Sequence, residues 1–212
     1  MDSQTTVDER KKLITAARLF YQRGWMVGTA GNLSARQADG SFWITASGKA
    51  KGELTTRDFV RVHGDGKVEA PYPNLKPSAE TSIHQAIYSL FPEAMACYHV
   101  HSIEANLVSM FAKSEDTLHL PPLEMLKGLG IWQENPCCQM ALFNNHLDVT
   151  KIASKIEVRF RNHPPKIPAL LIRNHGVTVW GASPETALNY IELAEYIFRY
   201  MVAAHQMGEN FR

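Results

Sequence analysis

Tyr98-His99-Val100-His101-Ser102 places two histidines one residue apart inside an apolar run that begins at Ala94-Met95-Ala96-Cys97. A run of this kind reads as a buried strand, and alternation along a strand puts His99 and His101 on one face. Two imidazoles on a rigid strand suit zinc or another late first-row metal, with the remaining ligands supplied from elsewhere in the chain. Core histidines hydrogen-bonded to backbone would have the same spacing, so the motif alone leaves both readings open. Helical patterns on either side of this strand decide the class. Pro77-Ser78-Ala79-Glu80-Thr81 opens a helix with Ile83, Ile87 and Leu90 as its stripe, and Ser102-Ile103-Glu104 starts another that runs to about Phe111.

Working outward, the first helix carries a capping-box pattern, Thr6-x-x-Glu9, then Leu13, Ala16, Ala17 and Phe20 at helical spacing, and ends at Gly24. Between Trp25 and Ile44 the chain turns to small residues and short strand-like pieces, with Asp39-Gly40 as a hairpin signal. Thr55-Thr56-Arg57-Asp58 has the composition of a helix start, and Phe59-Val60-Arg61-Val62 looks extended before the turn Gly64-Asp65-Gly66. Leu120-Pro121-Pro122 leads into a short helix or turn, and Asp148 to Phe160 reads as a helix. Two apolar strands, Ala169-Leu170-Leu171-Ile172-Arg173 and Val177-Thr178-Val179-Trp180, flank Asn174-His175-Gly176. Ser183-Pro184 then caps a last helix with Leu188, Ile191, Phe198 and Met201 on its stripe. Helices interleaved with strands and hairpins predict an α/β domain with a mixed, helix-covered sheet.

The totals bound the function. The 212 residues suit one domain, 1–212, because single cores grow to about 250 residues before splitting. With 22 Lys plus Arg against 21 Asp plus Glu, no strong field invites nucleic acid or an acidic membrane surface. No apolar run approaches the ~18 residues of a membrane span, and Met1-Asp2-Ser3-Gln4 has no signal pattern, so a cytoplasmic protein is expected. Three cysteines, of which Cys137 and Cys138 are adjacent, predict reduced thiols with a structural role.

Three groups of residues could carry chemistry. His175, held between two apolar strands in a turn made tight by Gly176, could complete a three-histidine site with His99 and His101; three protein ligands leave a position open for a substrate oxygen. It could equally be a capped strand end. The other six histidines, His84 included, read as surface or satisfied residues, although His84 lies one turn from Glu80. Gly31-Asn32, Ser47-Gly48 and Pro77-Ser78 offer N–H and hydroxyl groups that together could hold a phosphate, or they are ordinary turns; no P-loop or dinucleotide fingerprint occurs. Glu124, among Pro121, Pro122, Leu123, Met125 and Leu126, would have its pKa raised by desolvation if it is buried, which suits a general acid or base near neutral pH. Glu80 at its helix start either favours the dipole or serves a site.

In order, the pieces are Gly31-Asn32-Leu33-Ser34, Ile44-Thr45-Ala46-Ser47-Gly48, Pro77-Ser78-Ala79-Glu80, His99-Val100-His101-Ser102 and Asn174-His175-Gly176-Val177. That order resembles the class II aldolase and epimerase superfamily across almost the whole chain. The resemblance implies a three-layer α/β/α sandwich around a mixed, mainly antiparallel sheet, assembled as a homotetramer with the active site near a subunit boundary. It implies His99, His101 and His175 as ligands of one zinc ion, and Asn32, Ser47, Gly48 and Ser78 as the cradle of a sugar phosphate. Glu80 matches the acidic residue that the aldolases use near the metal. Glu124-Met125-Leu126-Lys127-Gly128 resembles a dehydratase branch of the superfamily, which acts on a methylthio-bearing ketose 1-phosphate and in which the glutamate is the catalytic acid and base. Aldol cleavage or 4-epimerisation on the same scaffold is the alternative, and a non-catalytic, metal-stabilised assembly protein is a further one.

Overall fold

A computed structural model describes residues 8–112 and 116–209. One sheet of nine strands runs through it: β1 (Asn32–Arg36), β2 (Phe42–Thr45), β3 (Phe59–Val62), β4 (Val68–Glu69), β5 (Ala96–Val100), β6 (Thr117–Leu120), β7 (Cys138–Phe143), β8 (Ala169–Ile172) and β9 (Gly176–Gly181). Their order across the sheet is β4-β3-β2-β1-β5-β9-β8-β7-β6. All neighbours are antiparallel except β7 and β8. The predicted mixed, mainly antiparallel sheet is therefore present, and the His-Val-His strand β5 lies at its centre, paired on one side with β1 and on the other with β9.

Among the described residues, five α-helices cover the sheet: α1 (Glu9–Gln22), α2 (Thr81–Leu90), α3 (Ile103–Phe111), α4 (Val149–Asn162) and α5 (Pro184–Gln206). Alternation along the strands divides the buried residues into two cores. Leu33, Tyr98, Val100, Val177 and Val179 pack with Leu13 and Phe20 of α1, Val108 of α3, and Ile191 and Phe198 of α5. Ile44, Val60, Cys97, Leu170 and Trp180 face the other way, against Ile83 and Ile87 of α2 and Ile152 and Ile156 of α4. The result is the expected α/β/α sandwich. Trp180, Phe91 and Phe160 anchor the second core, with the Phe91 and Trp180 rings stacked at 4.8 Å.

Local chemistry explains most boundaries. Ser102 and Ser183 accept hydrogen bonds from Ala105 N and Thr186 N as N-caps, and Asp148 does the same for Thr150 N. The first helix differs from expectation at its start: Asp8 is the cap, and Thr6 of the supposed capping box lies outside the described residues. Thr55–Asp58 is a turn and not a helix start, because Asp58 Oδ2 accepts from both the backbone N–H and the hydroxyl of Thr55 and the chain passes directly into β3. Leu90 is only partly buried, since α2 ends there. Cys137 is exposed and Cys138 buried in β7, and all three thiols are free.

Candidate metal and substrate site

The site forms where the central strands end against the start of α2. His99 is in β5 and His101 one residue beyond it; His175 sits in the β8–β9 turn. The turn is tight because Asn174 adopts φ 51° and Gly176 lies against β5. A Cβ on Gly176 would stand 2.1 Å from the Val100 carbonyl oxygen, so only glycine lets β9 approach closely enough to present His175. The three imidazoles meet nearly at right angles, with ring centroids 4.5–5.0 Å apart. Glu80, the cap residue of α2, points its carboxylate into the same space: its oxygens lie 2.6 Å from His175 Nε2, 3.4 Å from His99 Nε2 and 3.9 Å from His101 Nε2.

One ligand atom from each of Glu80, His99, His101 and His175 lies within 4.8 Å of all the others. Three imidazoles and one carboxylate on rigid supports are a donor set that suits a divalent metal, zinc among them. The ring orientations agree. His99 Nδ1 is 2.8 Å from Thr178 Oγ1 and His175 Nδ1 is 3.2 Å from Asn145 Oδ1, so in each ring Nδ1 is the engaged nitrogen and Nε2 faces the cluster. Burial pushes His99 down to about 4 and His101 to about 3, so both rings are neutral near pH 7, the state that can ligate. Burial by itself would raise the Glu80 carboxyl, but His99, His175 and His101 outweigh it and hold Glu80 well below the usual carboxylate range.

A buried polar chain fixes the Glu80 carboxylate from behind. Asn32 Nδ2 donates to Glu80 Oε2, which leaves Asn32 Oδ1 as an acceptor for His84 Nε2 at 2.5 Å. Neutral His84 must then accept at Nδ1, from the Ser34 hydroxyl at 2.6 Å, and Tyr88 OH donates to Ser34 Oγ at 2.7 Å. Burial drives His84 down to about 4, which keeps it neutral. His84 is therefore a satisfied residue but not a surface one: it is fully buried on α2, on the face that meets β1. The Ile83, Ile87 stripe with Tyr88 beside it carried a signal for this, since residue 84 adjoins both.

The predicted phosphate residues gather in one place. Asn32, Ser47, Gly48 and Ser78, together with Glu80, Lys51 and His101, line a recess of about 210 Å³ that opens beside the histidine cluster. Ser47 and Gly48 are exposed at its rim, and the Ser47 backbone N–H is bound to Lys76 O at 2.9 Å. Ser78 Oγ accepts from Glu80 N at 3.3 Å. The Asn32 side chain has both polar atoms engaged by Glu80 and His84, so it shapes the floor of the recess. Lys51, which the sequence did not single out, is 1% exposed; its Nζ donates to Thr29 O at 2.7 Å and Lys49 O at 2.8 Å.

Glu124 is placed differently. It opens a 3-10 turn, Glu124–Leu129, whose Leu126 and Leu129 are buried. The three-residue period sends Glu124 and Lys127 to the outer face, where they pair at 2.7 Å and the Glu124 side chain is 80% exposed. The expected apolar enclosure is thus absent in the single chain, and Glu124 is outside both the four-residue cluster and the residues lining the recess.

Fold and site together define a class II aldolase-type domain, and residues 11–202 match the family described as the class II aldolase and adducin N-terminal domain. The chain belongs to that family. A methylthioribulose-1-phosphate dehydratase of Microcystis aeruginosa is 67% identical to it over 201 residues, covering 94% of this chain and 98% of that protein. The enzyme of the same name from Leptospira biflexa is 45% identical over 210 residues, covering 95% of this chain and 98% of the relative. Among solved structures, an L-fuculose 1-phosphate aldolase superposes with a TM-score of 0.77 over 97% of this chain and 90% of its own, at 21% identity, which supports the shared fold. Among the described residues, no helix is long and apolar enough to cross a membrane.

Proposed function

We infer that this chain dehydrates 5-methylthioribulose 1-phosphate to 2,3-diketo-5-methylthiopentyl 1-phosphate, a hydro-lyase step of methionine salvage. The observation that carries this reading is the 67% identity to a methylthioribulose-1-phosphate dehydratase along 94% of the chain, on a scaffold whose histidine cluster and recess adjoin. His99, His101 and His175 would hold one zinc ion per subunit, and the ion would supply Lewis-acid polarisation of the substrate carbonyl. The substrate phosphate enters the recess at Ser47, Gly48 and Ser78, over the floor made by Asn32, which directs the carbonyl end toward the histidines. Glu124 takes the proton from the third carbon and passes it to the hydroxyl on the fourth, which leaves as water; the resulting enol rearranges to the 2,3-diketone. Glu124 stands exposed and outside the recess of its own chain, and the protein works as a cytoplasmic homotetramer in which assembly of neighbouring subunits brings Glu124 to a substrate-holding recess.

A second reading has an observation behind it. Glu80, the residue type that the aldolases use, stands inside the histidine cluster, so carbon–carbon cleavage is the rival reaction. Incubating the zinc-loaded protein with 5-methylthioribulose 1-phosphate and weighing the products separates the two. A product lighter by one water is expected; two fragments from aldol cleavage, or an unchanged substrate, would sink the assignment.

A further inference from the structure

Lys51 is a buried ammonium on the 3-10 turn Lys51–Glu53. Both of its hydrogen bonds go to backbone carbonyls, Thr29 O and Lys49 O, and it enters no ion pair among the described residues. Its neighbour Lys49 behaves as lysines usually do, 40% exposed and paired with Asp58 at 2.9 Å. Withdrawing an ammonium from water without a counter-ion costs several kcal/mol unless other groups compensate. Two carbonyl acceptors satisfy two of the three N–H groups, and the nearby Glu80 carboxylate attracts the charge without a direct ion pair, which leaves one N–H for a further acceptor.

The side chain lines the recess. Lys51 is the one Lys or Arg among the residues lining it; the others that can hydrogen-bond are Thr29, Asn32, Ser47, Ser78, His101 and Glu80, and Glu80 is an anion. Apart from a metal held by the histidines, Lys51 is the one cation this lining offers a phosphate carrying a charge of about −1.5 to −2, and a charge-assisted hydrogen bond is about twice as strong as a neutral one.

We propose that Lys51 is the specificity-determining cation of this site: it donates its remaining N–H to the substrate's phosphate and so selects phosphorylated over unphosphorylated ketoses. This rests on the reading of the recess as the phosphate subsite. Its sequence context, Gly48-Lys49-Ala50-Lys51-Gly52, looks like a solvated loop, which is why the residue draws no notice before the fold buries it.

The test uses inorganic phosphate as the probe on the zinc-loaded protein, followed by calorimetry, with Lys51→Met and Ser78→Ala beside the parent. Phosphate binding is expected to weaken roughly 10- to 100-fold in Lys51→Met, and less in Ser78→Ala, which loses only a neutral donor. If Ser78→Ala weakens binding while Lys51→Met binds like the parent, the role of Lys51 is refuted and the recess stands. If the parent itself binds no phosphate, both the recess and Lys51 lose their assignment. Should Lys51→Met fail to fold, 15Nζ NMR of the parent decides: the Lys51 signal, assigned by its loss in Lys51→Arg, shifts on adding phosphate, and an unmoved signal overturns the proposal.

Discussion

The histidine cluster and the Glu124 turn are built on opposite plans. His99, His101, His175 and Glu80 project from the central strand β5 and the residue just beyond it, a tight turn and a helix start, and three of them are held by further partners: His99 by Thr178, His175 by Asn145, and Glu80 by the chain Asn32–His84–Ser34–Tyr88. Glu124 stands on a 3-10 turn with one partner, Lys127, and 80% of its side chain in solvent. The first donor set comes together within one chain. The second is left open, which suits a group that must reach a substrate and be enclosed only then. Metal binding and proton transfer should therefore respond to substitution separately.

Glu124→Gln gives the largest expected effect on turnover. Loss of a positioned acid/base group lowers kcat by about 10²- to 10⁴-fold, and since Glu124 lies outside the cluster the metal content should stay at the parent level. Steady-state kinetics with elemental analysis reads both; parent-like turnover would remove Glu124 from the mechanism.

His84→Leu probes the opposite region. It keeps the volume near that of histidine but strips Asn32 Oδ1 and Ser34 of their partner, loosening the Glu80 carboxylate. Metal affinity measured by chelator competition should fall roughly 10- to 100-fold. An unchanged affinity would mean that Glu80 needs no support from behind.

A smaller effect comes from α5, away from both regions. Glu195 is 2% exposed, and burial, opposed only in part by the nearby Ser102 hydroxyl, pushes its pKa up to about 8. A carboxyl whose pKa is raised on folding binds protons more readily folded than unfolded, so stability falls as pH rises from about 4.5 to about 8. Glu195→Gln removes that loss. Its Tm should match the parent near pH 4 and exceed it by about 5 °C at pH 8; equal Tm values across the range in thermal melts would show that the carboxyl is not held neutral.

The sequence was legible where chemistry and periodicity coincide. The His-Val-His strand, the caps Ser102, Asp148 and Ser183, and the β8 and β9 strands around His175 all announce themselves locally. The strands β6 and β7 did not. Thr117–Leu120 alternates over only four residues before Pro121 and Pro122, Cys138–Phe143 is continuously apolar after Gln139, and they become strands by pairing with one another and with β8. Lys51, His84 and Glu195 are polar side chains buried by elements distant in sequence, and no local pattern reports such burial with certainty. Glu195 gave a hint, standing between Ile191 and Phe198 on the apolar stripe of α5. For Glu124 the condition of burial is not met in the single chain, because the apolar residues around it in sequence, Leu126 and Leu129, turn inward and the carboxylate outward.

The contrast between the proposed metal cluster, assembled within one chain, and the proposed acid/base group that stands apart from it is tested most directly by metal stoichiometry. Elemental analysis of the parent, Glu124→Gln and His175→Ala after equilibration with zinc is expected to find about one ion per chain in the first two and almost none in the third. Zinc bound equally by His175→Ala, or absent from the parent, would contradict the account.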